Sequence, residues 1–182
     1  MSTNLFIKPK LIINPRMGRR ERFWPASRLT KLLKQCQKNY HFEIWLIAGS
    51  SDQDYIRQIM GYIGEEKPRI IELLKLDKLV IILKSCGLFI GVDTGTTRLA
   101  ASLGIPTIVL FGPTQPSGWP TSTSTGKVAI INKKLNCSPC SYQNQFYCQT
   151  KQCFADITLK DILEKIEKIT GEKQKAGGGT RI

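Results

Sequence analysis

Long apolar runs are missing from this chain. The greasiest stretch, LVIILKSCGLFIGV at 79–92, is 14 residues long with Lys84 inside it, too short to cross a bilayer. Lys8 and Lys10 stand where a secretory leader would carry its apolar core, so a cytoplasmic protein is expected. Acidic residues are scarce: 14 Asp and Glu face 27 Lys and Arg, a net charge of +13. That excess calls for anionic partners without choosing between nucleic acid, an anionic membrane face and a phosphorylated substrate. Histidine occurs once, as His41 in a helix–strand turn. No internal repeat of solenoid type is present, and no recognised nucleic-acid motif accompanies the scattered basic residues.

What the chain does have is a regular alternation. Its 182 residues, 41% apolar, allow one domain with a sizeable core. KLIINP (10–15), FEIWLIAG (42–49), RIIEL (69–73), GLFIGV (87–92), PTIVLFG (106–112) and KVAIIN (127–132) read as strands. Between them, SRLTKLLKQCQKN (27–39), SDQDYIRQIMGYIG (51–64), KLDKLVIILKSC (75–86) and TTRLAASLG (96–104) read as helices, although LVIIL alone fits a strand equally well. A last helix begins at DITLKDILEKIEKI (156–169), where Thr158 and Asp161 form an acidic capping box. Nearly unbroken apolar strands alternating with helices predict an α/β, Rossmann-like domain: a parallel sheet with helices on both faces, over residues 1–170. The segment 171–182, GEKQKAGGGTRI, reads as a flexible basic tail.

The densest motif is GVDTGTTRLAASLGIPTIVLFGPT at 91–114. In doubly wound sheets ligands bind beyond the carboxyl ends of the strands, where helix N-termini gather. Asp93, Thr94, Gly95, Thr96 and Thr97 fall between a strand end and a helix start. Gly95 allows close backbone approach, and the N–H groups from Gly95 to Arg98 suit a phosphate. Asp93, being anionic, orients the turn or meets a hydroxyl. The plainer alternative is a capped helix start in which Asp93 or Thr94 accepts from the backbone.

With its continuation to QPSGWP, this block closely resembles the nucleotide-sugar-binding motif of glycosyltransferase family 9, the ADP-heptose:lipopolysaccharide heptosyltransferases. LIINPRMGRRERFWPASRLTKLL looks like the strand, basic loop and Trp-Pro element opening the C-terminal domain of that family. WLIAGSSDQD is similar to its second strand and turn, and the resemblance covers about residues 10–169. It implies the C-terminal half of a GT-B enzyme and a site for a nucleoside-diphosphate sugar, ADP-heptose, with a lipopolysaccharide core acceptor. Gly95, Thr94 and Thr96 would cradle the diphosphate. Arg22, where the family usually has Lys, would neutralise phosphate charge as a bidentate fork. Asp52 or Gln53 would meet ribose hydroxyls. Arg98 replaces the family's His; it can face the diphosphate but cannot exchange a proton. Trp24 has a plainer role in packing against the helix that follows.

The resemblance also implies what to look for elsewhere. The family's catalytic base lies in the N-terminal domain, and this chain starts where the second domain starts, so no catalytic residue is assigned. A separate chain carrying that domain and peripheral contact with the anionic inner membrane are the implied partners. No cofactor is expected. A non-enzymatic nucleic-acid module is the alternative that the positive charge suggests. The stripe Ile162, Leu163, Ile166 and Ile169 either ties two lobes together or covers this domain's own sheet.

Six cysteines divide unevenly. Cys36 and Cys86 read as buried apolar residues on helices. Cys137, Cys140, Cys148 and Cys153 form C-x2-C-x7-C-x4-C, able in principle to hold structural zinc. That spacing fits no standard finger, and the family resemblance accounts for Cys-Ser-Pro-Cys without metal, so no metal ligand is assigned.

Overall fold

Six parallel strands form one sheet in the order β3-β2-β1-β4-β5-β6. The computed structural model describes residues 8–15, 24–64, 66–72, 75–119, 128–140, 148 and 150–171. The strands are β1 (Lys10–Asn14), β2 (Glu43–Ala48), β3 (Arg69–Glu72), β4 (Leu88–Val92), β5 (Thr107–Phe111) and β6 (Val128–Asn132). The helices are α1 (Ala26–Tyr40), α2 (Gln53–Ile63), α3 (Leu76–Lys84), α4 (Gly95–Ser102), α5 (Gln152–Ala155) and α6 (Leu159–Thr170), with a 3-10 turn at Ser50–Asp52. This is the doubly wound order, and the chain reverses direction across the sheet between β1 and β4.

Burial explains the strand compositions. β4 and β5 lie inside the sheet, and every residue of LFIGV and TIVLF is buried. Edge strand β3 shows only Ile71 buried, and the other edge, β6, buries Val128 and Ile131. Apolar faces of α1, α2 and α6 cover one side of the sheet through Leu29, Leu32, Ile59, Ile162 and Ile166. On the other side Leu83 of α3 and Ala100 of α4 pack with Ile12, Trp45 and Phe89. The stripe of α6 therefore serves this domain's own core, the second of its two readings.

Two features depart from the periodicity. LDKLVIILK is a helix, but its apolar side is only partly used: Leu83 is buried while Leu76 and Ile81 are 66% and 70% exposed. The short helix α5 was not foreseen. It is held by close approach, since a Cβ added to Gly112 would lie 2.1 Å from the Phe154 ring. The capping box of α6 forms as expected, with Asp161 N–H donating to Thr158 Oγ1 and Thr158 N–H donating to Asp161 Oδ2 at 2.7 Å. The tail beyond Gly171 lies outside the described residues.

Candidate functional site

The switch point between β1 and β4 is closed below by Asn14, the last residue of β1, which pairs in register with Gly91. Asn14 is 7% exposed, a polar residue ending an apolar strand, and its Nδ2 donates to Thr94 Oγ1 at 3.4 Å. Thr94 is the N-cap of α4, its side chain accepting from Thr97 N–H. Fully buried Thr97 donates its hydroxyl to Val92 O at 2.6 Å and stands 3.0 Å from the Thr94 hydroxyl. Gly91 makes room for this: a Cβ there would lie 2.5 Å from Thr97 Oγ1.

A helix begins with four N–H groups that lack carbonyls below them. Here the Thr94 side chain takes that of Thr97, and Arg98 N–H, donating to the Thr94 carbonyl, is the first of the regular helix ladder. Among the described residues the N–H groups of Gly95 and Thr96 are left without a partner at the positive end of the helix dipole, an arrangement suited to anions. A Cβ on Gly95 would meet nothing within 4 Å, so packing within the described residues does not require glycine there. Thr94 caps the helix, which is the plainer of the two sequence readings of the turn. The Thr94 hydroxyl itself is occupied by the cap.

Asp93 organises the mouth of this site. Its Oδ2 accepts from the Thr114 hydroxyl at 3.2 Å. Its Oδ1 accepts from Trp119 Nε1–H at 2.9 Å and from Arg98 Nη2 at 3.1 Å. The carboxylate thus binds the Gly-Pro-Thr loop after β5 to the start of α4, which is the turn-orienting role. Arg98 also lies over the Trp119 ring, 4.5 Å from its centroid. Asn14, Thr114 and Trp119 were given no role by the sequence, and Thr97, named there for its N–H, proves to act through its buried hydroxyl. For Asn14 the signal was a polar residue closing an apolar strand before Pro15. Thr114 and Trp119 gave no local signal, because β5 and its loop bring them back across 21 and 26 residues.

The remaining candidates are distributed differently. Asp52 sits at the end of β2, two strands from β4, and is 3% exposed. Its Oδ2 accepts from Gly49 N–H at 2.6 Å, closing the turn after β2, while Gln53 beside it is exposed. Burial first, and the charge of Asp52 second, push the Tyr55 phenol well above its ordinary range. Tyr55 donates to Trp24 O at 2.6 Å, and Trp24 is 1% exposed in the core, as its packing role requires. Arg22 lies outside the described residues. The structure therefore brings Asp93, Thr94, Gly95, Thr96 and Arg98 to one helix start and leaves Asp52 in a neighbouring turn.

Burial pushes the Cys36 and Cys86 thiols up to about 12; Cys36 is buried on α1 as expected, whereas Cys86 lies past the end of α3, half-buried, with its thiol donating to Leu88 O. Burial also pushes Cys153 up; the Phe154 backbone opposes the rise and nearby Cys140, Cys148 and Cys137 add to it. Among the described residues no group of three His, Cys, Asp or Glu is placed to hold a metal ion.

A six-stranded parallel sheet wound in this order, with helices on both faces, defines the doubly wound class of α/β domains. The sequence matches glycosyltransferase family 9 (heptosyltransferase) over residues 2–150, and the chain belongs to that family. Lipopolysaccharide heptosyltransferase 1 of Campylobacter coli is 25% identical over 170 residues, covering 91% of this chain and 48% of that protein. The structure of E. coli ADP-heptose LPS heptosyltransferase II shares the fold at a TM-score of 0.69 and 20% identity, over 90% of this chain and 46% of its own. The glycosyl transferase family 9 protein of Veillonella parvula does so at 0.70 and 18%, over 91% and 47%. The chain spans about half the length of the curated relatives it matches. The described residues contain no helix long and apolar enough to cross a membrane.

Proposed function

We propose that this chain is the donor-binding half of a glycosyltransferase that moves heptose from ADP-heptose to the lipopolysaccharide inner core. The observation that carries the reading is the start of α4, where two N–H groups, next to a glycine that packing does not explain, face the switch point of a family 9 domain. The relatives named as ADP-heptose or lipopolysaccharide heptosyltransferases support the choice of donor and acceptor.

In transfer, an acceptor hydroxyl attacks the anomeric carbon, its proton passes to a base, and ADP departs with charge growing on its phosphate oxygens. This half serves the departing group. Gly95 and Thr96 N–H groups hold the diphosphate, and Arg98 and Arg22 supply positive charge. Exposed Gln53, rather than buried Asp52, reaches the ribose. The base and the acceptor pocket belong to the other half, whether a separate chain or more of a longer one. The positive charge of +13 suits contact with the anionic inner membrane where the acceptor resides. The nucleic-acid alternative draws no support from the family match.

Titration calorimetry of the chain with ADP, GDP and UDP tests the proposal. Saturable binding of ADP in preference to the others, weakened by Arg22→Ala, is expected. A folded chain that binds none of the three sinks the autonomous donor site.

A further inference from the structure

Arg98 occupies an unfavourable place. It lies in the first turn of α4, where the helix dipole opposes a cation. Helical side chains lean toward the N-terminus, and this one reaches back past the cap to Asp93 at the start of the turn. We propose that Trp119 is a positioning residue that, together with Asp93, presets the Arg98 guanidinium as a second cation for the donor's diphosphate. The inference rests on the donor-site reading above and deepens it.

Three observations carry it. First, Trp119 is itself fixed. It is 6% exposed, meets Phe111 edge-on with centroids 5.9 Å apart, and donates Nε1–H to Asp93 Oδ1. Its ring face is thus a rigid plate against which a planar guanidinium stacks. Second, Arg98 remains available. Its side chain is 50% exposed, and of its five N–H donors one is used by Asp93 among the described residues. Third, the carboxylate that would repel a phosphate is quenched. Asp93 is 15% exposed and accepts from Thr114, Trp119 and Arg98, so it anchors the cation without presenting bare negative charge. A cation held against the dipole by two dedicated partners breaks a local rule, as functional sites do, and an arriving diphosphate supplies the compensation. Placing it beforehand reduces the ordering that binding must otherwise impose on a long side chain.

The test is calorimetry on the full chain with ADP and with adenosine, which lacks the phosphates. Arg98→Ala and Trp119→Leu are each expected to weaken ADP about tenfold and to leave adenosine unchanged. Because both act through one guanidinium, the double variant should lose no more than Arg98→Ala alone. Trp119→Phe, which keeps an aromatic face, should recover most of the affinity. Additive losses, an equal loss for adenosine, or undiminished ADP binding by Trp119→Leu would each overturn the proposal. Should Trp119→Leu not fold, Arg98→Lys decides: a loss close to that of Arg98→Ala supports the stacked fork, and full affinity overturns it. If the folded wild-type chain binds no ADP, the donor reading fails and takes this inference with it. Binding by the wild type with indifferent variants removes the inference alone.

Discussion

Gly95 is surrounded by open space, whereas Gly91 and Gly112 are each pressed by a neighbour. Glycine at 91 and 112 therefore serves the packing of α4 on β4 and of Phe154 on β5, and on the donor-site proposal glycine at 95 serves the approach of the diphosphate. Alanine at 95 should leave stability unchanged or raise it by at most about 1 kcal/mol, because alanine is the better helix former. The same methyl group would stand where a phosphate oxygen approaches, so ADP affinity should fall at least about tenfold, about 1.4 kcal/mol. Denaturant midpoints and calorimetry on Gly95→Ala measure the two effects separately. Undiminished affinity would put the phosphate somewhere other than the start of α4. Much of this site was legible in one dimension, since Asp93 through Arg98 are consecutive and a helix start is a local event. Asn14, Thr114 and Trp119 were not, because their partners lie 80, 21 and 26 residues away.

Among the elements, α6 has its start written most clearly in sequence. Thr158 and Asp161 satisfy each other's backbone donors, and Lys133 Nζ lies 2.9 Å from Asp161, tying β6 to the helix. Thr158→Ala should cost about 1 kcal/mol, read from urea midpoints. Partial burial alone would push the Asp161 carboxyl up; the Lys133 ammonium and the Thr158 N–H and O–H outweigh it and hold the carboxyl below its ordinary value. A carboxyl depressed by folding stabilises above its unfolded value and loses that contribution as pH falls through the folded one. Stability should therefore decline on acidification below about pH 4, and Asp161→Asn should flatten that decline. An unchanged acid limb in the variant would assign the loss to other carboxylates. Here a short-range pattern sufficed, whereas α3 shows its limit. LVIIL gives no sign of which of its residues face the sheet, and only the placement of α3 leaves Ile81 and Leu76 outside.

At the level of the whole molecule, the sheet gathers the ends of β1, β4 and β5 at one edge, and ligand binding there should stabilise the entire fold. ADP at about 100 times its dissociation constant should add about 2.7 kcal/mol. A thermal melt with and without ADP reads this as a rise in midpoint, and GDP and UDP at the same concentration should raise it less. Identical midpoints with all three nucleotides would remove the preference for adenine.

The amino-acid sequence by itself determined the six strands, most of the helices, their α/β alternation and the turn that opens α4, because propensity, periodicity and capping act over a few residues. The family was legible for the same reason, its most specific motif being one uninterrupted block. Only tertiary structure decided that β4 lies beside β1 and that Trp119 and Thr114 converge on Asp93. Those outcomes follow from burying both faces of a parallel sheet, which joins residues that no local pattern connects.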